Sequence, residues 1–440
     1  MQLKLMLAAT LLGAVVANAG VFPYRYESHV LDNGLKVILI QLPSEGLVAY
    51  YSVVRTGSRD EVEPGHTGFA HFFEHMMFRG TERYPGPVYD RIMTSLGIDA
   101  NAYTTDDFTC YHLNLAAADL PRVVELEADR FQNLSYAERE FQTEAGAVYG
   151  EYRKSRTSPF FALFEALQDT AFDRHTYKHT TMGFEKDIAA MPEMFAYSRS
   201  FFARYYRPEN VVLIIAGDFQ PAAAMALIRD HYAGWKPGYV APQVPLEPPQ
   251  AGERFTEVKF AGRSLPILAM AWKGGRFDPA RRETAAAMVI EELAFGETSE
   301  VYQDLVLDRQ LVQRLGAEFS LNRDPALWGL FATITREEDI ATVRKTIEQA
   351  VVKLQAAPPD AGRLDDVKKR LRYQLLMGMD TPDRVAGGLA RYVALTGGIE
   401  AVDQLFETLA TLQPEDVQRA AQGYLGNDRR TVAVLKGGGK

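Results

Sequence analysis

The chain has a single cysteine, Cys110, among 440 residues. No intramolecular disulfide can form, so even in an oxidising compartment the fold must rest on its hydrophobic cores. Cys110 sits in a strand-like run and reads as a small buried hydrophobe. Basic residues are not in excess: 48 Lys and Arg face 57 Asp and Glu, for a formal charge of −9. That balance argues against nucleic acid or an anionic membrane surface as the main partner. There is no block of like charges that would mark a binding tail, and no segment past the N-terminus reads as a transmembrane helix. Histidine is unevenly spread. All 8 lie at or before His231, and the remainder of the chain has none.

The N-terminal stretch "MQLKLMLAATLLGAVVANAG" carries one lysine, an apolar run and Ala-Asn-Ala at 17–19. This is the layout of a secretory signal, with cleavage expected after Ala19. The apolar run is short for a membrane anchor, and no cysteine follows the cleavage site to accept a lipid. Export as a soluble protein is expected, and a periplasm suits a large chain without disulfides better than a eukaryotic secreted setting.

A chain of this length exceeds what one core supports, so at least two domains are expected. "WKPGYVAPQVPLEPPQAGERF" (235–255) contains five prolines and little periodicity, and reads as a semi-rigid linker. It separates a signal peptide (1–19) and a first domain (20–234) from a second domain (256–440). In the first, "LDNGLKVILIQL" and "GLVAYYSVVRTGSRDE" read as strands, 65–80 as a helix and 101–115 as one further strand. Helices follow at 119–134, 137–155, 160–171 and 193–206, before the strand "NVVLIIAGDF". The second repeats this order, with strands "LPILAMAW" and "ALWGLFATITRE", and helices at 281–295, 338–355, 361–379 and 383–396. An internal duplication follows. Each copy is expected to be an α+β unit, a mainly antiparallel sheet backed by helices.

One apolar segment has polar residues in an ordered pattern. In "GFAHFFEHMMFRGT" (68–81), His71, Glu74 and His75 stand at i, i+3 and i+4, on one face of a helix. Two neutral imidazoles one turn apart can hold one Zn²⁺ and leave positions open. The carboxylate between them can then stand beside an open position. The order His-x-x-Glu-His reverses the zincin motif and is the inverzincin pattern. The alternative, two core histidines beside a buried acid, would leave Glu74 an uncompensated buried charge costing several kcal/mol. A third protein ligand is needed, and "AEREFQTEAGAVYGEYRKSRTSP" offers Glu138, Glu140, Glu144 and Glu151. The first two suit a solvated helix face, while Glu144 and Glu151, seven apart, share one face. Spacing alone leaves open which of them binds metal.

The chain resembles the pitrilysin-type inverzincin metallopeptidases, the group containing insulin-degrading enzyme and mitochondrial processing peptidase. The resemblance rests on "LDNGLKV", "TGSRDE", "GHTGFAHFFEHMMFRGT", "NAYTTDDFT", the distal glutamates and "YYRPENVVLIIAGD". It implies two homologous α/β-roll domains forming half of a clamshell, and one zinc ion held by His71, His75 and Glu151. Glu74 would be the general base of peptide hydrolysis and Glu144 a supporting acid. "NAYTT" is similar to the family's edge strand, on which substrate pairs as an added strand. Asn101 and Ala102 are then candidate substrate contacts.

The second copy has "AAAMVIEELAF" where the metal helix should be, with no ligands, as the resemblance implies for a catalytically silent copy. In many members this half also supplies an Arg and a Tyr to bound peptide. Here Leu330 and Glu337 stand at the expected places, and Glu300 replaces a frequent arginine. A homologous zinc-less partner supplying that pair is therefore expected, giving a heterodimer. The expected activity is a zinc endopeptidase acting on peptides or unfolded segments. The alternatives are a catalytically silent assembly subunit of the same fold and a periplasmic zinc-binding protein.

Overall fold

The computed structural model describes residues 14–16 and 20–437. The expected cleavage after Ala19, and all of the expected signal except the short strand at 14–16, lie outside the described residues.

Two mixed sheets form the framework. The first part of the chain runs β1 (Ala14–Val16), β2 (Tyr26–Val30), β3 (Lys36–Gln41), β4 (Leu47–Val54), α1 (Phe69–Met76) and α2 (Gly86–Ser95). It continues through β5 (Asp99–Thr104), β6 (Thr109–Ala116), α3 (Leu120–Asn133), α4 (Glu138–Ser155) and α5 (Pro159–Ala171). Then come α6 (Glu185–Ala190), α7 (Phe195–Tyr205), β7 (Val211–Gly217) and α8 (Pro221–Tyr232). The later part runs β8 (Arg254–Phe260), β9 (Ile267–Lys273), α9 (Arg282–Ile290), α10 (Glu300–Tyr302), β10 (Val312–Phe319) and β11 (Leu327–Ile334). It ends with α11 (Ile340–Ala356), α12 (Ala361–Met377), α13 (Pro382–Thr396), α14 (Glu400–Ala410), α15 (Pro414–Tyr424) and β12 (Arg430–Gly437).

The strand orders are β1-β2-β3-β7-β4-β6-β5 and β10-β11-β9-β12-β8. Five strands correspond one to one, with the same directions: β3 and β7 pair parallel, as do β8 and β12, and the rest of each matching set pairs antiparallel. The internal repeat expected from the sequence is thus present as topology. The linker is extended and irregular, and β8 begins at Arg254, so its last two expected residues are strand.

Residues 101–115, expected as one strand, form two. Thr105 Oγ1 accepts from the backbone N–H groups of Asp107 and Phe108 at 3.2 and 3.1 Å, which turns the chain back at 105–108. A Thr-Asp-Asp sequence supplies the local hydrogen bonds that compete with an extended ladder. The correction matters, because it makes β5 the edge strand of its sheet.

The third helix after each hairpin crosses to the other half. From the earlier part, α5 buries Leu163 and Leu167 against Ile267, Ala269 and Leu435 of the second sheet. From the later part, α13 buries Val385, Leu389 and Val393 in the same cluster as Tyr51, Val53, Ile214 and Ala216 of the first. One apolar face of each sheet is thus covered by a helix its own half does not supply. Small residues let α13 approach closely: a Cβ on Gly387 would stand 3.1 Å from the Tyr51 hydroxyl. Polar contacts fix the seam, with Tyr51 Oη donating to Asp383 Oδ1 at 2.8 Å and Arg55 Nε to the Ala394 carbonyl at 2.8 Å.

Leu330 is fully buried within this core, and Glu337 and Glu300 pair with Lys436 and Lys353.

A second polar tie joins the halves. Arg59 Nε donates to Asp324 Oδ2 at 2.6 Å, and His175 Nε2 lies 3.1 Å from the same oxygen. Burial alone would raise the Asp324 carboxyl, but His175 and Arg59 outweigh it and hold the group at about 2, against an ordinary 3.8. Because the folded value lies below the unfolded one, the stabilisation is complete above the ordinary range and is lost as pH falls through about 2. Asp324→Asn is expected to lower the urea midpoint at pH 7, with the deficit shrinking between pH ~4 and ~2. A deficit independent of pH would show that the carboxylate charge is not what ties the halves.

Candidate metal centre

Helix α1 starts where it does because Gly68 adopts φ +91, and a Cβ there would press within 2.7 Å of the Met182 carbonyl oxygen. A left-handed backbone at such a close approach selects glycine. The helix N-terminus is then capped from outside. Glu61 Oε2 and Oε1 accept the backbone N–H groups of Gly68 and Ala70, each at 2.7 Å. This buried carboxylate satisfies N–H groups that have no intrahelical partner and complements the helix dipole. Phe69, Phe72, Phe73 and Met76 are fully buried, which fixes the rotation of α1. Phe73 stacks on Phe201 of α7 at 5.3 Å, and Phe72 meets Phe141 of α4 edge-on at 5.0 Å. Tyr111 Oη on β6 donates to the Phe73 carbonyl at 2.9 Å.

With that face locked, the polar stripe points to α4. Ligand-capable atoms of His71, Glu74 and His75 lie within 4.8 Å of one another. Glu151 Oε2 stands 3.3 Å from His75 Nε2 and 3.7 Å from His71 Nε2. A tetrahedral zinc with bonds of about 2.0–2.1 Å separates its ligand atoms by about 3.3 Å, so these three side chains fit that ion. Glu144, one face-repeat earlier on α4, approaches the other nitrogen: Glu144 Oε1 lies 3.1 Å from His75 Nδ1. A proton held at Nδ1 leaves Nε2 free to bind metal. Arg79, one turn beyond His75, donates to the second Glu144 oxygen.

The protonation tendencies agree with this division of labour. Burial, with a smaller contribution from His75, pulls His71 down to about 3, so it is neutral and metal-competent across the neutral range. The Glu144 hydrogen bond raises His75, against its burial. Burial pushes Glu144 up, but His75 and Arg79 outweigh it and hold the carboxyl below its ordinary value. Burial raises Glu74, in the direction that suits a base working near neutrality. Thr104 Oγ1 donates to Glu74 Oε2 at 2.6 Å and aims the carboxylate.

Glu74, His75, Arg79, Glu144, Asn101 and Ala102 line one open cavity of ≈370 Å³. Its wall is β5, whose outer edge is unpaired among the described residues. All seven site residues expected from the sequence therefore lie at or beside one place. Three contributors were missed. Arg79 could have been found from its i+4 spacing to His75. Glu61 and Thr104 sit in quoted motifs, but nothing in a linear pattern says that they reach α1.

Comparison with known proteins places this arrangement. A family model described as insulinase (peptidase family M16) matches residues 36–185, and one described as the peptidase M16 inactive domain matches 197–371. The chain belongs to peptidase family M16. Its M16 relatives include the zinc protease PqqE of Helicobacter pylori, 26% identical and covering 97% of this chain and 96% of that protein. The crystal structure of a protease from Helicobacter pylori superposes with a TM-score of 0.88 at 26% identity, covering 94% of this chain and 99% of that one. The periplasmic protease PqqL of Escherichia coli shares the fold with a TM-score of 0.75 at 20% identity, and this chain covers 48% of its length. Membership of a zinc protease family agrees with the two-helix ligand set.

Replacing Glu61 by Ala leaves two N–H groups of α1 unsatisfied and is expected to cost about 1–3 kcal/mol in urea unfolding. Chelator competition should show weakened zinc binding as the helix start loosens. Unchanged zinc affinity would mean that the cap does not position the ligands.

Proposed function

We propose that the protein is a zinc-dependent endopeptidase that hydrolyses peptides or unfolded segments, with His71, His75 and Glu151 holding one zinc ion. The observation carrying this reading is the convergence of those three ligands with a Thr104-aimed carboxylate beside an open strand edge. A bound zinc supplies Lewis-acid polarisation of the scissile carbonyl and acidifies the attacking water. The chain supplies the rest. Backbone groups along Asn101 and Ala102 pair with an extended substrate and present one peptide bond to the centre. Glu74 takes a proton from water and passes it to the departing amine. Glu144 keeps the His75 ring in one tautomer and orientation, and Arg79 keeps Glu144 ionised.

In this reading residues 20–234 are the zinc-binding domain, 235–255 the linker and 256–440 the metal-free domain, whose role is to enclose substrate. Export to a periplasm follows from the N-terminal pattern, and no helix among the described residues is long and apolar enough to cross a membrane. The length of PqqL, about twice this chain, is consistent with a working unit built from two such pieces. The second piece is then a homologous zinc-less chain that contributes the missing Arg and Tyr.

Glu74→Gln is expected to cut peptide cleavage by about 10²–10⁴-fold, the usual contribution of a positioned acid–base group, while the zinc content stays at that of the parent. Cleavage within twofold of the parent would refute Glu74 as the base, whereas no cleavage by the parent chain, with or without its partner, would favour the catalytically silent assembly subunit. The zinc-loaded chain alone is expected to cleave peptides slowly and to accelerate on adding its partner. Full activity as an isolated monomer would refute the heterodimer.

A further inference from the structure

Away from the metal centre, the two hairpin turns and the two exchanged helices meet around a second cavity of ≈190 Å³. The β5–β6 turn brings Asp106, the β10–β11 turn brings Asn322, α5 brings Gln168 and α13 brings Arg391. Because the turns and the helices are equivalent pairs in the internal repeat, the cavity lies where the halves relate to each other. Its walls carry several aromatic rings, among them Phe164, Phe172 and Phe331.

The polar groups in this wall include three carboxyls and one cation. Gln168 is 4% exposed and Asn322 is 5% exposed, yet Gln168 Oε1 and Asn322 Oδ1 have no hydrogen-bond partner. A buried acceptor left unpaired costs about 1–3 kcal/mol, and here two of them line one cavity. Three carboxyl groups, Asp106, Asp107 and Glu318, join them. Burial and the neighbouring Asp107 push Asp106 up to about 7, although the Ser58 hydrogen bond and Arg391 pull the other way. The lone cation of the lining, Arg391, donates to the Leu321 carbonyl at 3.2 Å and offsets only part of the charge of three carboxyls. An anion would meet three carboxyls and two unpaired amide oxygens. A donor-bearing cation would satisfy them, and its apolar part would meet the rings.

We propose that this cavity is a ligand site for a small organic cation, a primary ammonium group on an apolar body of about one amino-acid side chain. Either a free amine or the N-terminal residue of a peptide carries that chemistry. The ammonium donates to Gln168 Oε1 and Asn322 Oδ1 beside the Asp106 carboxylate, and the apolar body packs on the phenylalanines. The site is separate from the metal centre but not remote from it in sequence, since Thr104, which aims Glu74, precedes the cavity-lining Thr105.

The test uses the full chain, with and without zinc, and calorimetric titration plus thermal unfolding. The probes are phenethylamine for the free-amine source and Phe-Gly-Gly for the peptide source, with N-acetylphenethylamine as the uncharged control. Saturable binding of one or both ammonium probes at millimolar concentration is expected, with a Tm rise of about 1–2 °C. The acetylated control should do neither, and zinc should leave the affinity unchanged. Gln168→Met and Asn322→Leu remove unpaired acceptors, so each is expected to keep or raise the Tm of the free protein while weakening the probe at least tenfold. Phenethylamine alone binding assigns the free amine, and Phe-Gly-Gly binding assigns the peptide terminus. Absence of saturable binding by either ammonium probe would overturn the proposal, as would binding by the acetylated control or unchanged affinity in both variants, leaving a cavity that holds water only.

Discussion

Neither sheet can bury both of its faces with helices from its own half. The inner faces of β4 and β7 are lined by Tyr51, Val53, Ile214 and Ala216, and these wait for α13. The corresponding face of β9 and β12 waits for α5. At about 25 cal/mol per Å² of apolar surface, leaving either face bare would forfeit several kcal/mol, comparable with the net stability of a domain. The reciprocal exchange therefore dictates much else: the long linker that must run between the sheets, the polar seam at Asp383 and Asp324, and the cavity left where the equivalent turns and helices fail to fill the space between them. Strands divide cleanly at the proline-rich segment. Packing does not.

The proposed metal centre depends on the same rigidity at a finer scale. A ligand pair on one helix and a third ligand on another are only as well placed as the contact between the helices. Here Phe72 against Phe141 supplies that contact. Glu61 fixes the start of α1 and Tyr111 ties its middle carbonyl. Glu144 meets the metal helix twice, through His75 and Arg79, so one carboxylate sets a ring orientation and is itself held ionised. These contacts are each ordinary hydrogen bonds or packing. Their value lies in converging on eight residues of helix that carry both imidazoles and the Glu74 carboxylate.

The parts of this molecule legible in its sequence are those with a short period. The His71, Glu74, His75 stripe follows from helical spacing, and the long helices from α3 to α5 follow from their apolar repeat. Resemblance then chose Glu151 and Glu144 from a run of glutamates in which spacing could not decide. The missed elements had signals that point two ways. α2 opens on Pro85-Gly86-Pro87, which reads as loop although proline suits a first helical turn. β8 has alternating burial along the solvent-facing edge of its sheet and no apolar run. The strand at 101–115 hid a turn because Thr105 Oγ1, rather than glycine or proline, makes the bend. Long-range matters, such as Glu61 reaching α1 or a helix crossing to the other sheet, have no linear signature, because they are set by what the folded chain brings near.

The bend at Thr105 has one more result. It leaves β5, only six residues long, as the outermost strand of its sheet. At about 3.3 Å per residue, in the function proposed above that edge offers roughly 20 Å to a visiting chain. A segment can dock there only if its own backbone groups are unspoken for over that span. Helices and paired strands fail the condition whatever their side chains, while a loosened or newly made chain meets it. The first thing such an edge measures is conformation, and composition is weighed only afterwards.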